Sequence, residues 1–371
     1  MQTDRQHAFD NLRTFVVFLV VVLHGAMSYM AYAPQWWYVV DRQNSVLYTV
    51  LVLLIDVPIM LVMFFLAGYF AYPSLLRRGA ARFFRDKLLR IGLPWVFGVL
   101  VLAPPTAYMI YFSRRSPLSL VDFWRTDFWG KAFQQSVYWY LGILLFLFAA
   151  TALAYATSRR FAALKVRPAR PGRWLFAGFM LGMSAASLLI GLCSGYTLDT
   201  WSHIYVLSYQ PVRVPLYAGY FALGVYASQR AWFTASGYAP ARAPWTLLAL
   251  VSGGAYLACR FGAAAALPAA ASAALTVVLF NVFCFSSLLA AIALFCAHLG
   301  GSNAFWRSLA RNSYGIYYLH PLILYPLALV FVDVPLPIHL KAATVIALAY
   351  LGSWAVSAGL LTRLPGLRRV F

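Results

Sequence analysis

Residues 46–70 read VLYTVLVLLIDVPIMLVMFFLAGYF. The run is apolar around every face of a helix and longer than the roughly 20 residues that carry an α-helix across a hydrocarbon core. Its single carboxylate, Asp56, stands beside Pro58. The stretch predicts a membrane-spanning helix. Comparable runs lie at about 12–32, 91–112, 136–157, 174–195, 211–229, 244–262, 272–299, 309–332 and 340–362, giving about ten spans in all. The connecting segments are short and no internal repeat is evident. The expected fold is all-α: a polytopic helical membrane protein in which residues 1–371 form a single membrane domain.

Composition agrees. Of 371 residues, 63% are hydrophobic and 10% charged, where a soluble globular protein carries about 25% charged residues. Mean hydropathy is +0.74. A soluble enzyme, a secreted disulfide scaffold and a disordered chain are excluded. Long unbroken apolar runs also argue against a β-barrel, whose strands alternate. Cys193, Cys259, Cys284 and Cys296 lie singly in apolar stretches. They read as small buried hydrophobes, so neither a disulfide framework nor a metal site is expected.

Net charge is +20, and all nine acidic residues are Asp. No nucleic-acid motif accompanies the charge, so basic loops facing anionic lipid explain it. With both termini inside, about three-quarters of the 29 Lys and Arg fall on the cytoplasmic side. These include Arg5 and Arg13, the run Arg77 to Arg90, Arg159 to Arg173 with Lys165, and Arg363 to Arg369. Ala31-Tyr32-Ala33 resembles a signal-peptide cleavage site, but Pro34 follows it directly. The first span is therefore read as an uncleaved helix.

Ionisable groups within spans are functional candidates. Asp10 is expected to cap the first helix. Arg13 and His24 are separated by ten residues; on a helix they share a face and lie about 16 Å apart. Arg13 reads as a snorkelling anchor at the inner interface. His24 reads as a structural histidine or as a general base, since neutral imidazole suits that work. Asp56 needs a partner or a proton; it could orient a histidine, or bond a neighbouring helix at the Pro58 kink. His320, in Tyr314-Gly-Ile-Tyr-Tyr-Leu-His320-Pro321, reads as a functional group or as a structural one beside the proline. Arg213 and Arg260 read as anchors at outer helix ends. Arg85, Lys87 and Arg90 belong to a basic stretch that is both a topology signal and a cluster able to meet phosphate. No glycine-rich phosphate loop is present, which disfavours an ATP-driven machine.

These residues resemble the signature segments of the acyltransferase-3 family of multi-pass membrane acyltransferases. The segments are Arg13-x10-His24; Phe64-Phe-Leu-Ala-Gly-Tyr-Phe70, with Ala67 where Ser is usual; Arg85 to Pro94, with Lys87-Leu-Leu-Arg90 in place of the double-Arg form; Tyr138-Trp139-Tyr140-Leu141; and Tyr314 to His320. Lys87 stands where the family has Arg, a point charge in place of a planar fork. The variant resembles the glucan-biosynthesis members, which succinylate periplasmic glucans. The resemblance implies acyl-CoA as cytosolic donor, with no metal. It implies a hydroxyl of an extracytoplasmic glycan as acceptor, and the inner membrane as location. His24 would be catalytic with Arg13 in support and Asp56 or Tyr314 orienting it. Arg85, Lys87 and Arg90 would meet CoA, and Trp139, Tyr140, Tyr314 and His320 would line the substrate site. The competing class is a proton-coupled transporter or flippase, with His24, Asp56 and His320 as relay groups; repeat symmetry would favour it. The acyl group, the acceptor and the oligomeric state are not legible.

Overall fold

A computed structural model describes residues 2–162 and 166–371. Lys165, counted above among the cytoplasmic basic residues, lies outside them. The regular structure of the described chain is helical apart from one antiparallel hairpin, β1 (Ser202–Ile204) and β2 (Leu207–Tyr209). Each expected span coincides with a helix: α1 (Gln2–Met27), α2 (Val46–Arg78), α3 (Ala80–Ser113), α4 (Trp139–Thr157), α5 (Leu175–Ser194), α6 (Val214–Gln229), α7 (Arg242–Arg260), α8 (Ala269–His298), α9 (Ala304–Phe331) and α10 (Ile338–Leu361). Among the described residues, eight helices are long and apolar enough to cross a membrane. The two others are α6, with 16 residues, and α7, which has Arg242 and Arg260 at its ends. Both had apolar middles, but neither has the length and apolarity of the rest. The chain is a multi-pass helical membrane protein.

By packing, the chain divides into two compact units. The first comprises residues 1–16, 56–85 and 146–306. Within it α7 packs along α8, and α8 against α5. Helices α2 and α6 meet backbone to backbone: a Cβ on Gly68 would strike the carbonyl of Phe221, and one on Gly224 the carbonyl of Phe65. Small residues let membrane helices approach this closely, which accounts for the glycine of the Phe64–Phe70 segment. Asp10 does not cap α1, which starts at Gln2; it sits within the helix and pairs with Arg13 at 3.2 Å. Its neighbour Asn11 instead serves another helix: its Nδ2 donates to the carbonyls of Leu299 (2.6 Å) and Gly301 (3.0 Å), just past the end of α8. Cys284 is buried as expected, whereas Cys193 is exposed, as a side chain on the lipid face of a spanning helix can be.

The second unit comprises residues 17–55, 86–145 and 307–371. After α1 the chain folds back through residues 28–45. The Asp41 N–H donates to Ser28 O at 2.8 Å, and the Ser45 N–H to Tyr29 O at 2.9 Å. Lys341 of α10 fastens this segment. Its Nζ donates to both Asp41 oxygens (3.2 and 3.1 Å) and to Val332 O (3.2 Å). Lys341 is 1% exposed and Asp41 4% exposed. Helix α3 is interrupted by wide turns at Leu88–Gly92 and Gly98–Leu102, on either side of Pro94. Pro94 has no N–H for the carbonyl of Arg90 four residues back. The Tyr314 hydroxyl donates to that carbonyl at 2.9 Å, and Tyr318, one turn on, donates to Pro94 O at 2.9 Å. Gly98 leaves room for the ring of Tyr138, which a Cβ there would meet at 2.7 Å.

The charge asymmetry gives a direct test of orientation. A reporter fused to the C-terminus should be active in its cytoplasmic form only; activity in the periplasmic form alone would reverse the assignment.

Candidate active site

In the second unit, His24 in the last turn of α1 meets His320 of α9. His24 Nδ1 lies 2.8 Å from His320 Nε2, with ring centroids 5.0 Å apart and planes at 18°. Pro321 explains why a histidine stands here. It offers no N–H to the carbonyl of Tyr317, and His320 Nδ1 lies 2.8 Å from that oxygen and 3.3 Å from Ile316 O. A carbonyl only accepts, so Nδ1 of His320 carries the proton and, in the neutral ring, Nε2 is bare. The hydrogen between the rings then belongs to His24 Nδ1, and His24 Nε2 is left with a free lone pair. His320 is 0% exposed, whereas His24 is half-buried. The accessible imidazole is the one whose outer nitrogen is basic.

The wall beside this pair is aromatic. Trp37 stacks on His24 at 5.7 Å and 15°, and its indole N–H donates to Ser28 Oγ at 3.3 Å. Tyr325 sits edge-on to Trp37 (5.6 Å) and face-on to Tyr38 (4.1 Å). Burial holds the Tyr38 hydroxyl above its usual range, so it stays a proton donor. The segment leading into α4 is bolted to α9: Tyr317 donates to Val137 O, and Tyr138 donates to Tyr318 O at 3.1 Å. Tyr140 packs edge-on against Tyr317 at 6.0 Å, and Trp139 lies against Tyr140 at 6.3 Å. Trp37, Tyr38, Gln135 and Tyr325 were not singled out from sequence. The usable signals were the aromatic run Trp36-Trp37-Tyr38 in the segment between α1 and α2 and the amide pair Gln134-Gln135 shortly before the Tyr138–Leu141 segment.

The remaining candidates are distributed as follows. Arg85 and Arg90 are exposed on α3 and Lys87 is half-buried. Tyr314 is engaged with the backbone of Arg90, so it is His320 that meets His24. Arg13 is held by Asp10 on its own helix, its side chain 40% exposed. In the first unit, Asp56 accepts from Arg213 at 2.7 Å. Arg213 is not an exposed anchor. Its side chain is 5% exposed, lies 5.0 Å over the Phe280 ring, and donates to Leu198 O (2.8 Å) and Asp199 (3.2 Å). Arg260 completes the set with Asp199 at 2.8 Å. Two carboxylates and two guanidiniums balance, the condition under which partly buried charges persist.

Residues 6–358 match the acyltransferase domain family that the signature segments resembled. The chain belongs to the acyltransferase-3 family. Curated relatives include glucans biosynthesis protein C of Shigella boydii serotype 4 (strain Sb227), 25% identical over 147 residues, covering 38% of this chain and 37% of that protein. The protein of the same name in Escherichia coli (strain K12) is 24% identical over 147 residues, with the same coverage. These alignments thus span well under half the length of either relative. No solved structure matches. As a member of the family, the chain is a membrane acyltransferase, and His24 and His320 both fall within the matched residues.

Proposed function

We propose that this acyltransferase moves an acetyl or succinyl group from cytosolic acyl-CoA to a hydroxyl of an extracytoplasmic glycan, at the inner membrane, with His24 as general base. The observation that carries the reading is the bare Nε2 of His24, enforced by the chain of donors that runs from His24 through His320 to the Tyr317 carbonyl. His24 Nε2 takes the proton of the acceptor hydroxyl as its oxygen attacks the thioester carbonyl. The tetrahedral intermediate collapses, the C–S bond breaks, and the CoA thiolate recovers the proton from His24. During this exchange the imidazolium keeps its Nδ1–H bond to His320, which holds the ring in place. The glycan acceptor follows the printed name of the relatives. The basic residues Arg85, Lys87 and Arg90 suit the phosphates of the donor.

The test is release of CoA from labelled acyl-CoA by the purified chain, with and without glucan, and recovery of label on the glucan. Transfer of label is expected; CoA release that never labels a saccharide hydroxyl would overturn the acceptor assignment. Neutralising Arg85, Lys87 and Arg90 together should raise the KM for acyl-CoA by about tenfold or more at preserved expression. An unchanged KM would reduce the stretch to a topology signal.

A further inference from the structure

On the segment leading into α4 and on α9, near the aromatic wall beside the histidine pair, lie buried polar side chains with no partner in the described structure. Both amide atoms of Gln135 and the hydroxyl of Tyr325 are enclosed and unbonded; each residue is 1% exposed. An unpaired buried amide or hydroxyl costs about 1–3 kcal/mol, so native chains retain few without a reason.

Their location is bracketed by bonds on both sides. Tyr38 donates to Gln134 Oε1 at 2.7 Å and stacks on Tyr325, while the Tyr317 hydroxyl donates to Val137 O. Gln135 is therefore held between Tyr38, next to the Trp37 that stacks on His24, and Tyr317, whose carbonyl anchors His320. Ser136 follows with φ of 48°, a left-handed backbone that costs a non-glycine residue about 1–3 kcal/mol and persists where its surroundings over-determine it.

The chemistry selects a ligand class. A carboxamide presents two donors and an acceptor, and a phenol presents one of each. Neighbouring hydroxyls on a sugar ring, each both donor and acceptor, satisfy that set. The unpaired groups carry no charge, which does not suit phosphate or carboxylate. Their aromatic surroundings suit the apolar face of a pyranose, as in small-molecule sites that combine apolar walls with a few placed polar groups.

We propose that Gln135 and Tyr325 form an acceptor-sugar subsite, bonding hydroxyls adjacent to the one that His24 activates. The proposal rests on the acyl-transfer reading of His24, but saccharide binding tests it separately. The purified full chain is titrated with glucose oligosaccharides, without acyl-CoA, and followed by tryptophan fluorescence; acyl transfer to the same oligosaccharides is then measured. The wild-type chain should bind, and Gln135→Ala and Tyr325→Phe should each weaken binding about tenfold. In turnover the KM for oligosaccharide should rise in parallel, by about tenfold more than any change in the KM for acyl-CoA. Tyr325→Phe removes one oxygen and keeps the ring, so it serves if Gln135→Ala does not fold. Saccharide binding lost in the variants, in a chain that turns over no acyl-CoA, would uphold the subsite and overturn the reading of His24. No saccharide binding by the wild type, or variants that bind as well as it does, would overturn the subsite and assign these groups to buried water.

Discussion

His24→Ala should abolish acyl transfer in a chain that still inserts and folds. Removal of a positioned general base lowers turnover by about 10² to 10⁴, because the acceptor hydroxyl then attacks with its proton in place. The half-buried ring gives up little packing when truncated, so the loss should appear in kcat per folded molecule. His320→Ala is the informative companion. In the proposed mechanism His320 would act through His24 Nδ1, as a positioning residue. Its removal should lower kcat while the KM for acyl-CoA holds, and His320→Gln, which keeps an acceptor oxygen near Nδ1, should recover part of the loss. Near wild-type turnover in His24→Ala would sink the assignment. A loss in His320→Ala that tracks folded protein alone would make that residue merely a patch for the carbonyl that Pro321 leaves open.

The second large effect concerns stability. Lys341→Met should destabilise the chain by about 3–5 kcal/mol, the usual result of stranding one member of a buried ion pair. Asp41 would be left enclosed, keeping the N–H of Gln43 at 2.9 Å but no cation. The double change Lys341→Met with Asp41→Leu should recover much of that loss, because an apolar pair of similar volume does not carry the desolvation cost. Thermal unfolding in detergent reads both. A melting temperature for Lys341→Met equal to the wild type would show that water reaches the pair. Asp41 also ties down the segment that carries Trp37, so the single variant should lose activity along with stability.

Much of the architecture was legible in sequence because crossing a bilayer is a one-dimensional requirement: enough consecutive apolar residues. The ten helices stand where the apolar runs predicted them. What escaped was set by length and by distant partners. Helices α6 and α7 had apolar middles, but the chain turns at Pro211–Arg213 before one and brackets the other with Arg242 and Arg260. Asp56 was visible as a carboxylate needing company, yet its partner Arg213 lies 157 residues away. His24 and His320 were both marked, but their bond spans 296 residues, and no local spacing encodes it. A closer reading of proline would have gone further. Each proline inside a helix frees a carbonyl four residues earlier. Beside Pro321 that carbonyl is met by His320, and beside Pro94 by Tyr314. Gln135 left no trace of its isolation, since a missing hydrogen bond is a property of a finished interior.

The donor chain from His24 ends at the carbonyl of Tyr317, an oxygen with no hydrogen to hand on. A proton that arrives at His24 Nε2 can push no other proton out at the far end, so it has one exit, the direction from which it came. On the proposed reading the pair would hold a single proton and would not serve as a conduit. This is the property that separates a catalyst from a pump here. A coupled transporter must release on one side what it takes up on the other, and each charge carried across would draw about 2.3 kcal/mol from every 100 mV of membrane potential. An acyl group relayed past this histidine would draw nothing from the ion gradients: the thioester alone would supply the driving force, and a de-energised membrane would acylate its glycan as readily as a charged one.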